Sequence, residues 1–160
     1  MQAPPPPALE VSVTPKKAPA SAARLKLTIS DKATNAREIV VYFPKGVGIS
    51  NAGIADGTKA GSGAITVDEQ DTDLVATTTP TGLAFAAGEE TLDGAFSRAS
   101  GRYTAKLRVK VPEPLRAFSA LSLNLKVKSL FSVRACPLPF RVELIGAKKT
   151  VLSDDAPCRT

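Results

Sequence analysis

The sequence predicts an all-β protein, and within that class an antiparallel β-sandwich of the immunoglobulin-like or jelly-roll-like kind. Three observations predict this class. Apolar and polar residues alternate with a period of two in many short segments, proline and glycine separate these segments, and only residues 114–120 resemble even one helical turn. Each such strand buries one face, and two packed layers of antiparallel strands are a common way to cover those faces.

The first part of the chain predicts three strands and then a loop. Apolar residues alternate with polar ones at 9–13 and at 25–29, which indicates two strands with one buried face each. The run Glu-Ile-Val-Val-Tyr-Phe at 38–43 is too apolar for an exposed strand and predicts a central one, ending at a Pro-Lys-Gly turn signal. Residues 46–64 consist mostly of Gly, Ala and Ser, and we expect a long loop there with at most one short strand.

Three short strands follow, and after them the two most regular strands of the sequence. The short strands are predicted at 64–67, 74–79 and 83–87. In the two regular strands, at 103–111 and 121–128, apolar side chains point to one side of the strand and basic side chains to the other.

The basic sides of these two strands are the main candidate binding surface. If the strands are neighbours in the sheet, their cations form one exposed face in spite of the repulsion between like charges. The side chains concerned are Lys106, Arg108, Lys110, Lys126 and Lys128. One interpretation is a solvated face that its charges keep soluble. The other is a platform for a polyanion, such as an acidic cell-wall polymer or glycan, or for the acidic segment of another copy.

Charge is also distributed unevenly along the chain, whose formal net charge is +6. Between Ala60 and Ser97 there is no Lys or Arg while acidic residues accumulate, and from Arg98 to Arg134 the balance reverses. The acidic run at 68–73 has neither the spacing nor the glycine of an EF-hand, and we expect an acidic hairpin tip there rather than a calcium loop. Nucleic acid is not an expected partner, because the basic face lacks base-stacking aromatic side chains.

The two cysteines of the sequence, Cys136 and Cys158, lie symmetrically about Ala147 in a Gly-Ala-Lys turn signal. If 138–145 and 149–156 form a hairpin, that symmetry places the two thiols opposite each other near its open end. Opposed antiparallel residues have Cα atoms about 4.5–5.5 Å apart, within the range of about 4.4–6.8 Å that a disulfide spans. We therefore predict a disulfide, an oxidising compartment and a secreted or surface-exposed protein.

We expect a single folded domain at 9–160, preceded by a flexible proline-rich segment at 1–8. The hydrophobic fraction of 43% is ordinary for a globular protein, and no apolar run reaches the ~20 residues that cross a membrane. The first residues have neither the charged start nor the apolar stretch of a signal peptide. Either the protein is intracellular or a signal peptide has been removed, and the second is favoured because Ala- and Pro-rich segments commonly follow cleavage sites.

Four motifs resemble parts of one known family. They are Val-Thr-Pro-Lys-Lys-Ala at 13–18, Ala-Arg-Leu-Lys-Leu at 23–27, Val-Val-Tyr-Phe-Pro-Lys-Gly-Val at 40–47, and the closing pair of Cys-Pro at 136–137 and Pro-Cys at 157–158. With them, most of the chain from 9 to 158 resembles a family of secreted β-rich proteins from high-GC Gram-positive bacteria. The resemblance implies a secreted β-domain of unassigned function and names no catalytic residue. The chain departs from the family at 51–63, where the additional cysteines typical of the family are missing.

Residues for catalysis are few. The sequence has no His, which removes the commonest general base and the commonest transition-metal ligand. Two cysteines are too few for a zinc site and lack the Cys-x-x-Cys spacing of a redox catalyst. Glu89 and Glu90 follow Gly88 and predict a solvated turn rather than a catalytic carboxylate pair. We therefore predict no enzyme activity, no cofactor and no metal.

These observations predict a protein that acts by binding or assembly outside the cell. One hypothesis is a structural or assembly subunit that acts by protein–protein contacts, its exposed sheet edges adding strands to neighbouring copies. The other is a monomeric adhesion or polyanion-binding module that uses the basic face. Measuring the size of the protein at several salt concentrations would distinguish them. Large assemblies that do not depend on salt favour the subunit, and a monomer that is retained on an anionic resin favours the binding module.

Overall fold

The computed structural model describes residues 7–31, 35–50, 54–126 and 130–159. These residues form thirteen β-strands and one 3₁₀ turn, so the predicted all-β class is confirmed. The strands are β1 (Ala8–Thr14), β2 (Arg24–Ser30), β3 (Ala36–Pro44), β4 (Val47–Ile49), β5 (Lys59–Val67), β6 (Gln70–Thr78), β7 (Gly82–Ala87), β8 (Glu90–Arg98), β9 (Tyr103–Lys110), β10 (Phe118–Leu125), β11 (Phe131–Val133), β12 (Leu138–Gly146) and β13 (Lys149–Ala156). The 3₁₀ turn is Glu113–Leu115.

Eleven of the strands form one antiparallel sheet, in the order β1-β2-β10-β5-β6-β7-β8-β9-β3-β12-β13. Its first and last strands face each other, and the Val11 N–H of β1 donates to Asp154 Oδ2 of β13 at 2.8 Å. The sheet is therefore a nearly closed barrel and not clearly the sandwich that the sequence predicts. A twisted sheet coils as strands are added, and bringing β1 against β13 covers both of its edges.

The inner face of the barrel carries the hydrophobic core. In β1 and β2 every second residue is buried, which is the alternation that the sequence predicts. Phenylalanine rings fill the end of the barrel next to a separate ribbon of β4 and β11: the Phe43 ring centroid lies 5.7 Å from that of Phe131 and 6.0 Å from that of Phe140. This packing supports the loops that surround that end.

The prediction of a long loop at 46–64 is wrong, because β4 and the larger part of β5 lie inside it. The glycines that suggest a loop are required by strand pairing. A Cβ on Gly61 would lie 2.0 Å from the Asn124 carbonyl oxygen, and a Cβ on Gly63 would lie 2.0 Å from that of Ser122. Glycine usually weakens a strand, but here it allows the close approach of β10.

The sequence pattern does not predict β8. On the inner side of this strand Gly94 stands between Leu92 and Phe96, so the apolar alternation is interrupted. Pairing with β7 on one side and β9 on the other stabilises β8 as a strand, although its own sequence lacks a continuous apolar alternation. Because antiparallel strands alternate in direction, β8 also carries the chain from one end of the barrel to the other.

β9 and β10 are strands, as predicted, but they are not neighbours. β9 lies between β8 and β3, whereas β10 lies between β2 and β5. The connection between them passes the start of β3, where the Ala36 N–H donates to the Arg116 carbonyl at 3.0 Å. The premise of one basic face across both strands is therefore wrong, because long-range packing rather than local pattern sets which strands pair.

The C-terminal hairpin forms as predicted. β12 and β13 pair in a register centred on Ala147, and Leu138 pairs with Ala156 at the open end. Cys136 and Cys158 lie just beyond that end and form a disulfide with a Cα–Cα distance of 5.7 Å. The two cysteines are thus equally far from the turn along the chain because each flanks one of the two paired strands of the hairpin.

The predicted flexible segment at 1–8 lies mostly outside the described residues, which begin at Pro7. β1 begins at Ala8, which pairs with Ser30 of β2. The division of the chain into 1–8 and 9–160 stays a prediction.

Candidate binding surfaces

The five basic residues predicted to form one face are divided by the fold. Lys106, Arg108 and Lys110 lie on the outer side of β9. Lys126 follows β10 on another part of the barrel, where its N–H donates to a carbonyl of β5 at 2.8 Å. Lys128 lies outside the described residues. The structure thus brings together only the three cations of β9.

The β9 cations face acidic side chains on the neighbouring strands. Arg108 Nη1 donates to Glu38 Oε2 of β3 at 2.7 Å. Lys110 is directly opposite Glu38 on one side and Asp93 of β8 on the other. An exposed ion pair of this kind contributes only about 0–1 kcal/mol, but it offsets the positive charge. The outer face of β9 is therefore a mixed-charge surface rather than a uniformly basic one.

The outer face of β3 and β12 carries a network that the sequence does not reveal. We call it the Tyr42 cluster; its members are Tyr42, Tyr103, Arg141, Glu143 and Lys149. Glu143 is on the outside of the sheet and yet only 5% exposed. Its Oε2 accepts a hydrogen bond from Arg141 Nη2 at 2.7 Å and lies 3.3 Å from Lys149 Nζ. Its Oε1 accepts a hydrogen bond from the Tyr42 hydroxyl at 3.2 Å.

Both tyrosines of the chain belong to this cluster. Their ring centroids are 5.3 Å apart, and the rings are tilted by 53°. The Arg141 guanidinium carbon lies 5.7 Å from the centroid of the Tyr42 ring, in cation–π geometry. Beneath the cluster, Val40 is fully buried although it points away from the barrel interior. The cluster therefore covers the outside of the sheet and fixes the positions of the two rings.

The cluster shifts the pKa of several of its groups. Burial, followed by the nearby Glu143 carboxylate, raises the pKa of the Tyr42 hydroxyl. Burial alone would raise the pKa of Glu143, but hydrogen bonds from Arg141 and Lys149 outweigh it, and the pKa of that carboxyl is lowered. Glu143 is therefore ionised at neutral pH with its charge balanced inside the cluster, which indicates a structural role.

The largest accumulation of positive charge lies at one end of the barrel and not on a sheet face. It is the end at which β1 stops and β2 starts, and alternating strand directions bring every second turn of the chain to it. We call it the basic end. Its basic side chains, all exposed, are Lys16, Lys17, Arg24, Lys45, Lys59, Arg98, Arg102, Lys126, Arg134 and Arg159.

Backbone hydrogen bonds join the segments of the basic end to each other. The Arg159 N–H donates to the Lys16 carbonyl at 3.1 Å, and the Lys45 N–H donates to the Arg102 carbonyl at 3.2 Å. The ribbon of β4 and β11 and the disulfide lie at the same end. Several elements therefore hold the backbone positions of these cations.

The cations of the basic end are without ion-pair partners in the part of the chain that the structure describes, where the salt bridges involve other residues. Asp56 and Asp155 are exposed at the same end but pair with none of them. Cations gathered in this way repel each other and create a positive potential that attracts anions.

The opposite end of the barrel carries two acidic turns. Asp68 and Glu69 form the two-residue turn between β5 and β6, with φ angles of 51° and 64°. Glu89 lies in the turn between β7 and β8, and Glu90 begins β8. The predicted acidic hairpin tip is thus confirmed as a turn at Asp68 and Glu69, whereas of the predicted solvated turn Glu89 lies in the turn and Glu90 in β8. This end carries basic side chains as well, among them Lys110, Arg116 and Lys148.

An open groove of about 330 Å³ adjoins the basic end. Tyr103 is not one of the residues that line this groove, but it pairs with Pro44 and follows Arg102, both of which do, so it lies beside the groove. None of the residues that line it is acidic. They are Pro44, Lys45, Gly46, Arg102, Ala135, Cys136, Pro137 and Pro139.

The described ranges hold neither a cluster of metal ligands nor a membrane-spanning helix. No group of three or more His, Cys, Asp or Glu side chains in these ranges could hold a metal ion. The described residues also contain no helix long and apolar enough to span a membrane.

Comparison with known proteins leaves the family of this chain open. No family model matches the chain, and no curated protein matches it. Among solved structures, the crystal structure of BslA, described as a bacterial hydrophobin, is similar with 15% identity and a TM-score of 0.48, over 96% of this chain and 99% of that one. The resemblance to secreted β-rich proteins of high-GC Gram-positive bacteria stays a prediction.

Proposed function

We propose that the protein is secreted or displayed on the cell surface, acts by binding and not by catalysis, and uses the basic end to hold an anionic polymer. The polymer is an acidic cell-wall polymer or glycan. The observation that carries this proposal is the set of exposed, unpaired cations that several turns bring to one end of the barrel.

Distance makes the basic end effective as a binding surface. β5 and β6 are nine residues long, so the acidic turn that joins them lies about 25–30 Å from the basic end. At physiological ionic strength the Debye length is only about 8 Å, so the acidic turns do not neutralise the basic end. Cations on adjoining turns act together on a polymer whose charges repeat along its length.

The disulfide supports an extracellular location, because such bonds persist in oxidising compartments. The lack of His in the sequence supports binding over catalysis. The sequence-based alternative, a structural subunit that adds strands at exposed sheet edges, has less support. At the edges of the eleven-stranded sheet, a strand from another copy would compete with the contact between β1 and β13, including the hydrogen bond from Val11 to Asp154.

Assembly through an apolar interface also has little support from the described surface. Interfaces between subunits have an apolar core. Among the described residues the exposed large hydrophobic side chains are Val75 and Val151, which lie on β6 and β13, far apart in the sheet order. Contacts between copies would therefore be mainly polar.

Two variants of equal charge test the proposal. The basic-end variant combines Lys45→Gln, Arg102→Gln and Arg134→Gln, and the control variant combines Lys106→Gln, Lys110→Gln and Lys148→Gln. Fluorescence anisotropy measures the affinity of each for labelled polyphosphate and polygalacturonate at increasing concentrations of sodium chloride. Light scattering after size-exclusion chromatography measures the mass of each protein under the same conditions.

We expect the basic-end variant to bind at least about tenfold more weakly at low salt, taking about 0.5 kcal/mol for each lost cation. The control should change little, and the difference should shrink as salt is added. Equal losses in both variants would show that net charge and not the basic end determines binding. Large assemblies that persist in high salt would favour the structural subunit instead.

A further inference from the structure

We infer that the groove beside the basic end is a binding site for an acidic sugar unit, in which Tyr103 and the groove prolines contact the sugar ring while Lys45 and Arg102 pair with its carboxylate. This inference rests on the proposed function and names the class of polymer, an acidic polysaccharide. Three features of the groove carry it: its walls are preformed, its rings are accessible, and its charges are unpaired.

The walls of the groove are joined before any ligand arrives. The Arg134 N–H donates to the Gly46 carbonyl at 2.6 Å, and the Lys45 N–H donates to the Arg102 carbonyl at 3.2 Å. A Cβ on Gly46 would lie 2.2 Å from the Ala135 carbonyl oxygen, so only glycine lets the two walls approach so closely. The volume of about 330 Å³ lies at the lower end of the range of about 300–1,000 Å³ for small-molecule sites.

Accessible rings line the groove and its edge. Pro137 is exposed, and Pro139 and Tyr103 are half-buried, so part of each ring is open to solvent. The face of an aromatic ring is electronegative and attracts the C–H groups that a sugar ring presents on its apolar side. The Tyr42 ring, whose centroid lies 5.3 Å from that of Tyr103 and whose hydroxyl donates to Glu143, packs against the Tyr103 ring at a tilt of 53°.

The charges of the groove select among polymers. Lys45 and Arg102 are exposed and have no ion-pair partner in the described part of the chain. A planar guanidinium such as that of Arg102 can donate two parallel hydrogen bonds to one carboxylate. A polyphosphate would use these cations but not the rings, and a neutral glycan would use the rings but not the cations. An acidic polysaccharide uses both.

Tyrosine fluorescence reports on this site in the intact protein, because the chain has two tyrosines and no tryptophan. Oligogalacturonate should change the tyrosine emission in a saturable way, while polyphosphate should bind and leave the emission nearly unchanged. The change should persist in Tyr42→Phe, in which Tyr103 is the remaining tyrosine. An equal response to both polymers, or none to either while both bind, would overturn the sugar site.

Affinities of two Tyr103 variants give an independent test. Tyr103→Ala should bind polygalacturonate about five- to tenfold more weakly, whereas Tyr103→Phe, which keeps the ring face, should bind nearly as well as the wild type. Both variants should bind polyphosphate normally, which also shows that they are folded. Equal affinity of Tyr103→Ala and wild type for polygalacturonate would overturn the site alone. Failure of the wild type to bind either polymer would overturn the proposed function as well.

Discussion

Replacing Glu143 with Gln removes the negative charge of the Tyr42 cluster while keeping the size of the side chain and an oxygen that can accept a hydrogen bond. The wild-type carboxylate, which is only 5% exposed, accepts a hydrogen bond from Arg141 at 2.7 Å and lies 3.3 Å from the Lys149 ammonium. Both cations lose this partner in Glu143→Gln. We therefore expect a lower free energy of unfolding at neutral pH.

The expected loss is about 1–3 kcal/mol. Removing one partner of a fully buried ion pair costs about 3–5 kcal/mol, because the other charge is left uncompensated. The side chains of Arg141 and Lys149 remain 37% and 55% exposed, so water can solvate them in the variant. Fully exposed pairs contribute only about 0–1 kcal/mol. The free-energy cost of Glu143→Gln should lie between these two limits, because the carboxylate is buried and its two cations are partly exposed.

The loss should depend on pH. Hydrogen bonds from Arg141 and Lys149 lower the pKa of Glu143 in the folded protein from an ordinary value near 4.5. The ionised carboxylate therefore stabilises the fold above that ordinary pKa, and its contribution is lost as the pH falls through the lower, folded-state pKa. Because Gln does not titrate, the difference between wild type and variant should be largest at neutral pH and should shrink as the pH falls below the ordinary pKa of the carboxyl and through its lower, folded-state pKa.

Urea unfolding followed by circular dichroism measures this difference at neutral pH and at about pH 3. Glu38→Gln is the matched control, since it removes a carboxylate from the more exposed pair with Arg108 and should cost less than about 1 kcal/mol. The reasoning fails if Glu143→Gln costs no more than this control. It also fails if the cost is the same at both pH values.

Three further predictions concern the fold. Gly61→Ala should lower the urea midpoint, because its Cβ would lie 2.0 Å from the Asn124 carbonyl oxygen; an unchanged midpoint would contradict the close approach of β10. Glu69→Gly should raise the melting temperature, because it should stabilise the fold by about 0.5–1 kcal/mol. Glu69 has a φ angle of 64°, in the left-handed region, which costs a non-glycine residue about 1–2 kcal/mol, and this exceeds the conformational entropy that Gly loses on folding. Replacing Cys136 and Cys158 with Ala should cost about 3 kcal/mol for a sequence separation of 22 residues, measured by urea unfolding without reductant.

The features that the sequence predicts correctly depend on neighbouring residues. Alternation within a few residues is enough to locate β1 and β2 and to assign their buried sides. The symmetry of Cys136 and Cys158 about one turn is enough to predict the register of β12 with β13 and the disulfide beyond it. In these cases the interacting residues are linked by one turn, so spacing along the chain determines spacing in the fold.

The features that the sequence misses depend on distant residues. Tyr42 and Glu143 are 101 residues apart, and no local pattern connects them. The sequence predicts no strand between 87 and 103, which would place Glu89 and Arg102 in one loop. In the structure the nine residues of β8 lie between them and carry the chain from the acidic turn to the basic end. The alternation at 103–111 and 121–128 predicts a basic face on a sheet, because local pattern does not show that β9 and β10 are not neighbours, whereas the cations gather at the turns.

The central claim is that the basic end binds an anionic polymer, and amide chemical shifts of the wild-type protein test it most directly. A short polyphosphate added to isotope-labelled protein should shift the amides of Lys16, Lys45, Arg102, Arg134 and Arg159, and sodium chloride should reverse the shifts. The amides of Lys106, Arg108 and Lys110 on β9 should change little. Shifts centred on β9, or none at the basic end at low salt, would contradict the claim.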